Sequence, residues 1–235
     1  LDNLTAPQAF FRFTKLNGEI ESSLLLNQIQ FVVMQQFRCK KCRQTSFGFQ
    51  QEQNLVLEVE NKFGSLQLPD LMFPQEEVEK KCKCGANSQI KTQQMVKEPE
   101  TLLIMMKRFK AGGGKISTQV LCPQELEIKI RVFQTEQLEQ SIQKESNEQK
   151  ESKIKIENKI KNEEQIEIEE IEEKIVKYQF VAAVLHEKLL FGGGHYTTLI
   201  KKEEFWEADD IDVVKKGKKA LDDKRIYFLS YQKIE

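Results

Sequence analysis

Residues 178–210 restrict the possible folds of this chain more than any other stretch, because two strand-like runs flank three consecutive glycines. Residues 178–185 are β-branched, aromatic or apolar, a composition typical of a buried strand. In Gly192–Gly194 the backbone can adopt positive φ or approach another chain closely. His195 then opens a second run, HYTTLI. The stretch therefore predicts two strands joined by a glycine-rich loop, with a histidine at the start of the second strand.

Two carboxylates follow His195 after a short charged turn. Asp209 and Asp210 lie fourteen and fifteen residues further along the chain. A histidine with a carboxylate beside it supplies the base and the orienting group of a nucleophilic triad. A histidine near a strand is more often an ordinary surface or core residue, so this pattern alone only nominates His195, Asp209 and Asp210 as candidate catalytic residues.

Four of the five cysteines form two close pairs, Cys39 with Cys42 and Cys82 with Cys84. Two such pairs, about forty residues apart, suit a zinc ribbon in which four thiolates bind one metal ion. The second pair is C-x-C instead of C-x-x-C, a tighter spacing that changes the loop and could weaken the site. A thioredoxin-type redox role is disfavoured because no βαβ pattern surrounds the first pair. The pairs therefore predict a structural zinc ion in a reducing compartment.

The fifth cysteine, Cys122, stands apart from these pairs and precedes Pro123 in the run VLCPQELEI. A small thiol within a strand normally packs as an apolar residue. No helix start follows that could lower its pKa. We therefore predict that Cys122 is a core residue and not a nucleophile.

The 235 residues carry a formal net charge of −1. A charge so close to zero gives no support for binding to nucleic acid or membranes. A zinc-ribbon scaffold for nucleic acid is disfavoured because the chain lacks a basic stripe. No apolar run reaches membrane-spanning length. Together with the cysteine pattern, this predicts an intracellular protein of the cytoplasm or nucleus.

Residues 134–177 differ in composition from the rest of the chain. They contain no Gly, Pro or aromatic residue and consist mainly of Glu, Lys, Gln, Asn, Ser and Ile. Such a segment cannot bury a core of its own, which predicts a disordered or partly helical insertion. The flanking runs, 126–132 and 178–185, both have core character, so we expect them to belong to one sheet.

Four motifs occur in the second half of the chain. They are an apolar strand that ends in Ala-Val-Leu-His186, the Gly-His-Tyr of residues 194–196, an Asp-Asp pair followed by Val213, and the aromatic closing run 225–234. Together they closely resemble the histidine region of the ubiquitin-specific proteases. These are papain-like cysteine proteases that remove ubiquitin.

The resemblance implies roles for the candidate catalytic residues. The histidine of Gly-His-Tyr is the general base in the family, so that role falls on His195. The first residue of the Asp-Asp pair orients the base. The spacing to Val213 makes Asp209 that residue, with Asp210 in a supporting position, whereas an alignment on Trp206 favours Asp210. We adopt the first alignment.

The resemblance also implies how the substrate is held. Gly193 and Gly194 would leave room for the narrow Gly-Gly tail of ubiquitin, and Tyr196 completes the predicted substrate-binding residues. The implied partners are ubiquitin and ubiquitinated proteins, with no nucleic acid and no membrane.

The first half of the chain is similar to the family as well. Residues 30–59 predict a hairpin of strands with Cys39–Cys42 at its turn, and the order of Phe37, the two cysteines, Ser46 and the strand LVLEV at 55–59 resembles the fingers that grip the body of ubiquitin. The run LLIMM, closed by Lys107-Arg108-Phe109, resembles a central strand of the palm. Residues 111–114 then predict a hairpin turn, with KISTQVLCPQELEI returning as the partner strand.

These features predict an α+β fold, with the antiparallel palm of a papain-like cysteine protease, zinc-ribbon fingers and a thumb that is largely missing. A short amphipathic helix is expected within residues 6–20, with Phe10, Phe11 and Phe13 partly buried. The predicted segments are a thumb remnant at 1–30, fingers at 31–99, palm strands at 100–133, the insertion at 134–177, and the His/Asp part of the palm at 178–235.

The family places its nucleophilic cysteine in an N-terminal motif, and none of the five cysteines stands in such a motif. The predicted function is therefore a deubiquitinating cysteine protease domain that hydrolyses ubiquitin C-terminal isopeptide bonds, present here without its nucleophile. The alternative is a catalytically inactive ubiquitin-binding module.

Overall fold

A computed structural model shows that the protein is mostly β, with few and short helices. The described residues are 6, 9–10, 13, 23–110, 114–133, 172–188 and 194–234. The strands in these ranges are β1 (Phe31–Cys39), β2 (Thr45–Glu52), β3 (Leu55–Glu58), β4 (Ser65–Gln67), β5 (Glu76–Glu79), β6 (Ser88–Lys97), β7 (Thr101–Lys107), β8 (Gln119–Leu121), β9 (Glu125–Val132), β10 (Glu172–Lys188), β11 (Gly194–Lys201), β12 (Phe205–Asp209), β13 (Asp212–Lys216) and β14 (Ile226–Lys233). The helices with defined bounds are α1 (Leu24–Ile29), α2 (Leu68–Leu71) and a 3-10 helix (Lys218–Asp222).

The smaller of the two main sheets consists of strands that the sequence assigned to the fingers, and it is called the finger sheet below. Its strand order is β2-β1-β6-β5, and all of its pairs are antiparallel. Strands β1 and β2 form the predicted hairpin, with the C-x-x-C turn at its end. Residues Cys82 to Gly85 lie between β5 and β6 at the same end of this sheet, because Cys39 in β1 is paired with Gln89 near the start of β6.

The larger sheet contains the strands that the sequence assigned to the palm, and it is called the palm sheet below. Its strand order is β13-β12-β11-β10-β14-β7-β3, and β9 also belongs to this sheet because it pairs with β10. The predicted strands at 178–185, after the glycine loop and at the closing run are confirmed as β10, β11 and β14. A separate two-stranded sheet joins β4 and β8.

Strand β10 is long enough to serve two groups of partners. Its first half, Glu172–Gln179, pairs with β9, and its second half pairs with β11 on one side and β14 on the other. The predicted membership of 126–132 and 178–185 in one sheet is therefore confirmed. The strand also begins at Glu172, six residues inside the predicted insertion, because Val176 is buried and extends the β9 pairing. The insertion up to 171 lies outside the described residues.

The predicted partner of the central strand was wrong. Strand β7 pairs with β14 and, in parallel, with β3, whereas the run KISTQVLCPQELEI contains β8 and the start of β9, which pair with β4 and β10. Only a single bridge, Phe109 to Lys115, links the two arms of the expected hairpin in the part of the chain that the structure describes. The physical reason is that the carbonyls of Ile116 and Thr118 accept hydrogen bonds from the Arg108 side chain. Strand β3, assigned to the fingers from sequence, lies at the edge of the palm sheet.

The main core shows the period of two expected for strands. In β7, Leu102, Ile104 and Met106 are fully buried and alternate with partly exposed residues. Two buried tyrosines of the same sheet have satisfied hydroxyls: Tyr178 donates to the Pro99 carbonyl at 3.0 Å and Tyr231 to the Pro123 carbonyl at 2.8 Å. The core is therefore fixed by both apolar packing and paired polar atoms.

A smaller aromatic cluster lies between the finger hairpin and the end of β9. The ring centroid of Phe10 is 5.2 Å from that of Phe49 and 4.9 Å from that of Phe133. Residues 6, 9, 10 and 13 are helical, Phe10 is buried and Phe13 is partly buried, as predicted. Phe11 and the rest of the expected helix lie outside the described residues. Among the helices that the structure describes, none is long and apolar enough to span a membrane.

Replacing residues 134–171 with a short Gly/Ser turn is expected to change the free energy of unfolding by less than about 1 kcal/mol. The reason is that Val132 and Glu172 are paired residues of an antiparallel ladder, so a short turn can join β9 to β10. Urea unfolding followed by circular dichroism measures the change. A matched deletion that extends to Lys177 removes buried Val176 and is expected to destabilise strongly. Equal destabilisation by both deletions would show that the insertion itself supports the palm.

Candidate functional site

The predicted base and its orienting carboxylate meet at one end of two neighbouring strands. His195 is the second residue of β11 and Asp209 is the last residue of β12. Because these strands are antiparallel and joined by a short turn, the start of one lies beside the end of the other. His195 Nε2 is 2.5 Å from Asp209 Oδ1, and the two side chains are 35% and 51% exposed.

This contact determines which nitrogen of His195 can act as a base. An ionised carboxylate only accepts hydrogen bonds, so Nε2 carries the hydrogen and donates it to Asp209. Nδ1 is then the nitrogen that takes up a proton. The hydrogen bond that His195 donates to Asp209, followed by the negative charge of Asp209, raises the pKa of His195, and Asp210 and Glu187 add smaller contributions.

Asp210 lies beside this pair, but it belongs to a turn and not to a strand. It occupies the turn between β12 and β13 with a φ of 50°, a left-handed conformation that Asp tolerates better than most residues. Ligand atoms of His195, Asp209 and Asp210 all lie within 4.8 Å of one another. The imidazole donates its hydrogen bond to Asp209, the residue that the alignment on Val213 favours. Which aspartate orients the base in catalysis stays a prediction.

A second histidine, to which the sequence alone assigned no role, packs directly behind the site. His186 in β10 is buried, and its ring centroid lies 4.6 Å from that of Tyr196 and 5.2 Å from that of Phe109. Burial, followed by the charge of Lys115, lowers the pKa of His186, so its ring is neutral near pH 7. Its position at the end of the apolar run was the sequence signal for a core residue.

The structure describes two of the three predicted substrate-binding residues, and their surroundings differ. Gly193 lies outside the described residues, and Tyr196 is 55% exposed beside the site. At Gly194 a Cβ atom would lie 2.2 Å from His186 Nε2. The space beside Gly194 is therefore filled by the His186 ring, so this glycine makes room for a neighbouring side chain of the protein. A role for Gly194 in holding substrate stays a prediction.

Gly194→Ala is expected to lower the free energy of unfolding by about 1–3 kcal/mol, because the new methyl group overlaps the buried His186 ring. Gly217→Ala is the matched control, since a Cβ there meets nothing within 4 Å and its effect should stay within about 0.5 kcal/mol. Urea denaturation of both variants measures the difference. An unchanged midpoint for Gly194→Ala would show that the His186 ring can move aside freely.

The four paired cysteines converge at the end of the finger sheet. Cys39 Sγ is 3.6 Å from Cys84 Sγ, and Cys42 Sγ is 3.5 Å from Cys82 Sγ. All four sulfurs lie within 4.8 Å of one another. A tetrahedral zinc ion with Zn–S bonds of about 2.3 Å places its sulfurs about 3.8 Å apart. The donor set therefore fits zinc, and the C-x-C spacing does not keep the second pair out of the cluster.

The loops around these cysteines explain how the sulfurs converge. Arg43 has a φ of 61°, and its N–H donates to the Cys39 carbonyl at 3.0 Å, which closes the first turn. Gly85 has a φ of 86°, and its N–H donates to the Cys82 carbonyl at 2.9 Å, which closes the second. A hydrogen bond from the backbone N–H of Cys42 lowers the pKa of Cys39, which favours its thiolate, whereas the pKa of Cys42 is raised by burial and by hydrogen bonds with the other three thiols, in spite of a backbone hydrogen bond from Gln44.

Cys122 is a core residue, as predicted. It is buried, and its Sγ donates to the Val120 carbonyl at 3.5 Å. Burial raises the pKa of its thiol to about 12, which opposes formation of a nucleophilic thiolate. Among the described contacts, none joins any of the five cysteines to His195.

A mainly antiparallel palm that ends in a His–Asp pair, together with a finger sheet that ends in four cysteines, defines a papain-like cysteine-protease fold with ribbon-type fingers. The model of the ubiquitin carboxyl-terminal hydrolase family matches residues 12–231, and the chain belongs to this family. The sequence has no match among curated proteins.

Solved structures of deubiquitinating modules share the fold. One is a SAGA module with a Ubp8 variant bound to monoubiquitin, with a TM-score of 0.63, 16% identity, and coverage of 92% of this chain and 43% of that chain. Another is the SAGA Ubp8 module bound to ubiquitin aldehyde, with a TM-score of 0.64, 15% identity, and coverage of 93% and 44%. A third is the yeast SAGA module with a mutant Sgf73, with a TM-score of 0.64, 15% identity, and coverage of 95% of this chain and 45% of that chain. The chain spans less than half the length of these relatives.

Proposed function

We propose that this chain forms the palm and fingers of a deubiquitinating cysteine protease, which hydrolyses the isopeptide bond at the C-terminal glycine of ubiquitin. The observation that carries the proposal is the 2.5 Å contact between His195 Nε2 and Asp209 Oδ1 in a member of the ubiquitin carboxyl-terminal hydrolase family. The ubiquitin-bound state of the structural relatives supports the choice of substrate.

In the proposed mechanism His195 Nδ1 accepts the proton of a cysteine thiol, and the thiolate attacks the carbonyl carbon of the glycine. The imidazolium then donates its proton to the departing lysine amine. Water hydrolyses the resulting thioester with His195 again acting as the base. Asp209 holds the Nε2–H tautomer and stabilises the imidazolium, and Asp210 adds negative charge nearby.

Substrate contacts follow from the position of the glycine loop. We assign Gly193, Gly194 and Tyr196 to the path of the ubiquitin tail, because Gly194 and Tyr196 flank His195 at the exposed start of β11. The four free thiols of the finger cluster favour a reducing, intracellular location, in the cytoplasm or nucleus.

The second candidate is a ubiquitin-binding module without catalysis. It is favoured by the commitment of the five cysteines to the finger cluster and the core. Hydrolysis of a fluorogenic ubiquitin C-terminal amide, with calorimetric titration of ubiquitin, distinguishes the two functions. Saturable binding with turnover by a protein containing this chain supports the protease, and binding without turnover supports the module. Absence of ubiquitin binding would contradict both.

We propose that Cys39, Cys42, Cys82 and Cys84 hold one structural zinc ion, which would fix the two finger turns together. Purified protein should contain one zinc per chain by elemental analysis, and Cys39→Ser should lose the metal and weaken ubiquitin binding. The palm should remain folded, since its core strands carry none of these cysteines. Cys122→Ser is the control and should retain the metal. Zinc-free protein whose four thiols all react freely would exclude the site.

A further inference from the structure

A second carboxylate of β12 is buried next to the proposed catalytic pair. Glu207 precedes Asp209 by two residues, and Thr197 follows His195 by two residues in β11. Because side chains alternate along a strand, Glu207 lies on the same face as Asp209, and Thr197 on the same face as His195. Unlike the exposed aspartate, the Glu207 side chain is only 8% exposed.

The Glu207 carboxylate accepts hydrogen bonds from three neighbouring side chains. Thr197 Oγ1 donates to Oε1 at 2.9 Å, and Lys216 Nζ donates to Oε2 at 2.7 Å. The Arg225 guanidinium lies against both oxygens, with Nη1 2.9 Å from Oε1 and Nη2 3.1 Å from Oε2. Burial alone raises the pKa of Glu207, but hydrogen bonds from Lys216, Arg225 and Thr197 lower it to about 2. Glu207 is therefore ionised and fully paired.

Arg225 connects this carboxylate to the strand that leads into the glycine loop. Asp223 holds the guanidinium through Nη2 at 2.7 Å and Nε at 3.1 Å. The backbone carbonyl of Arg225 accepts a hydrogen bond from the His186 N–H at 2.8 Å. The network thus joins β10, β11, β12 and β13 to the residue that precedes β14.

The backbone ladder does not itself fix the distance between His195 and Asp209. The pairing of β11 with β12 runs from Lys201–Phe205 to Thr198–Ala208 and ends there. His195 is paired instead with Glu187 of β10, and Asp209 with Asp212 of β13. The hydrogen bond from Thr197 to Glu207 is the side-chain link between the two strands next to the end of their ladder.

We infer that Glu207, held by Thr197 and Arg225, is the positioning residue that keeps Asp209 within hydrogen-bond distance of His195. The assignment rests on the proposed function, since it names what supports the catalytic pair. Glu207 touches neither substrate nor the reacting atoms. Glu207 acts by fixing the distance between β11 and β12 just beyond the point where their backbone pairing ends.

The test is the pKa of His195, measured by NMR titration of the chain labelled at its two histidines. Asp209→Asn gives the reference value for a broken pair. Thr197→Val removes the hydroxyl without changing charge, and it should move the His195 pKa down, part of the way to that reference. Arg225→Lys keeps the charge but loses the two-oxygen contact, and it should move the pKa in the same direction.

Two controls separate positioning from general damage. Thr197→Ser restores the hydroxyl and should restore the His195 pKa. Glu204→Gln removes a carboxylate of the same hairpin that pairs with exposed Lys215, and it should leave the pKa unchanged. A wild-type pKa in both folded Thr197→Val and folded Arg225→Lys would overturn the positioning role. A wild-type pKa equal to that of Asp209→Asn would instead overturn the His–Asp pair on which the proposed function rests.

Discussion

His195→Ala is expected to lower kcat/KM for a fluorogenic ubiquitin C-terminal amide by about a thousandfold or more, in any active protein that contains this chain. The reason is that His195 Nδ1 is the proposed proton acceptor, and loss of a triad base removes rate enhancements of roughly this size. The affinity for ubiquitin should change little, because His195 supplies few of the contacts that a protein partner makes. Steady-state kinetics and calorimetric titration, each on variants checked for folding, measure the two effects.

The two aspartates provide the graded comparison. Asp209→Ala should cost less than His195→Ala, because the base remains but loses its hydrogen bond and its stabilised imidazolium. Asp210→Ala should cost least, since its charge acts on His195 without the short contact. The reverse order for Asp209 and Asp210 would assign the orienting role to Asp210. Undiminished turnover in His195→Ala would remove the basis of the protease proposal.

Arg108→Met is expected to lower the free energy of unfolding by about 3–5 kcal/mol, the largest loss predicted for a single residue of the palm. Arg108 is fully buried, and it donates to the carbonyls of Ile226 at 2.7 Å, Thr118 at 2.6 Å and Ile116 at 3.2 Å. Methionine fills similar space but leaves these carbonyls without their donor. Urea denaturation compares the variant with the wild type.

The neighbouring Lys107 is the matched control for this experiment. Its ammonium pairs with Glu58, but both side chains are more than half exposed, so Lys107→Met should cost less than about 1 kcal/mol. Burial lowers the pKa of Arg108, although its guanidinium is still charged at neutral pH. A loss for Arg108→Met no larger than that for Lys107→Met would show that solvent or backbone movement satisfies the three carbonyls.

The features that sequence predicted best were local ones. An apolar run beside a glycine loop indicated β10 and β11, and C-x-x-C between two strand-like runs indicated the finger hairpin. Each depends on strand period or turn chemistry within a few residues. The contact between His195 and Asp209 could also be predicted from the sequence, because a tight hairpin brings the start of its first strand close to the end of its second strand.

The features that the sequence did not predict depend on contacts between residues that are far apart along the chain. The β7 run gives no sign that it pairs with β3 and β14, because partner choice depends on the whole sheet. The contacts of Arg108 reach residue 226, and those of Glu207 reach Arg225, so neither residue could be distinguished locally from a surface charge. The filling of the space beside Gly194 by His186 depends on the register of β10 against β11.

The length of β10 separates two regions of the protein in space. The β9–β10 hairpin opens at Glu172, whereas Glu187 lies opposite His195 near the other end of the same strand. At about 3.3 Å per residue, the stretch of β10 between these points is roughly 50 Å long when measured along the strand. An affinity tag or fluorophore joined at the open end of that hairpin would therefore be anchored far from the histidine. The protein could be immobilised on a sensor surface through this end, which leaves the start of β11, with His195, free to meet a partner from solution.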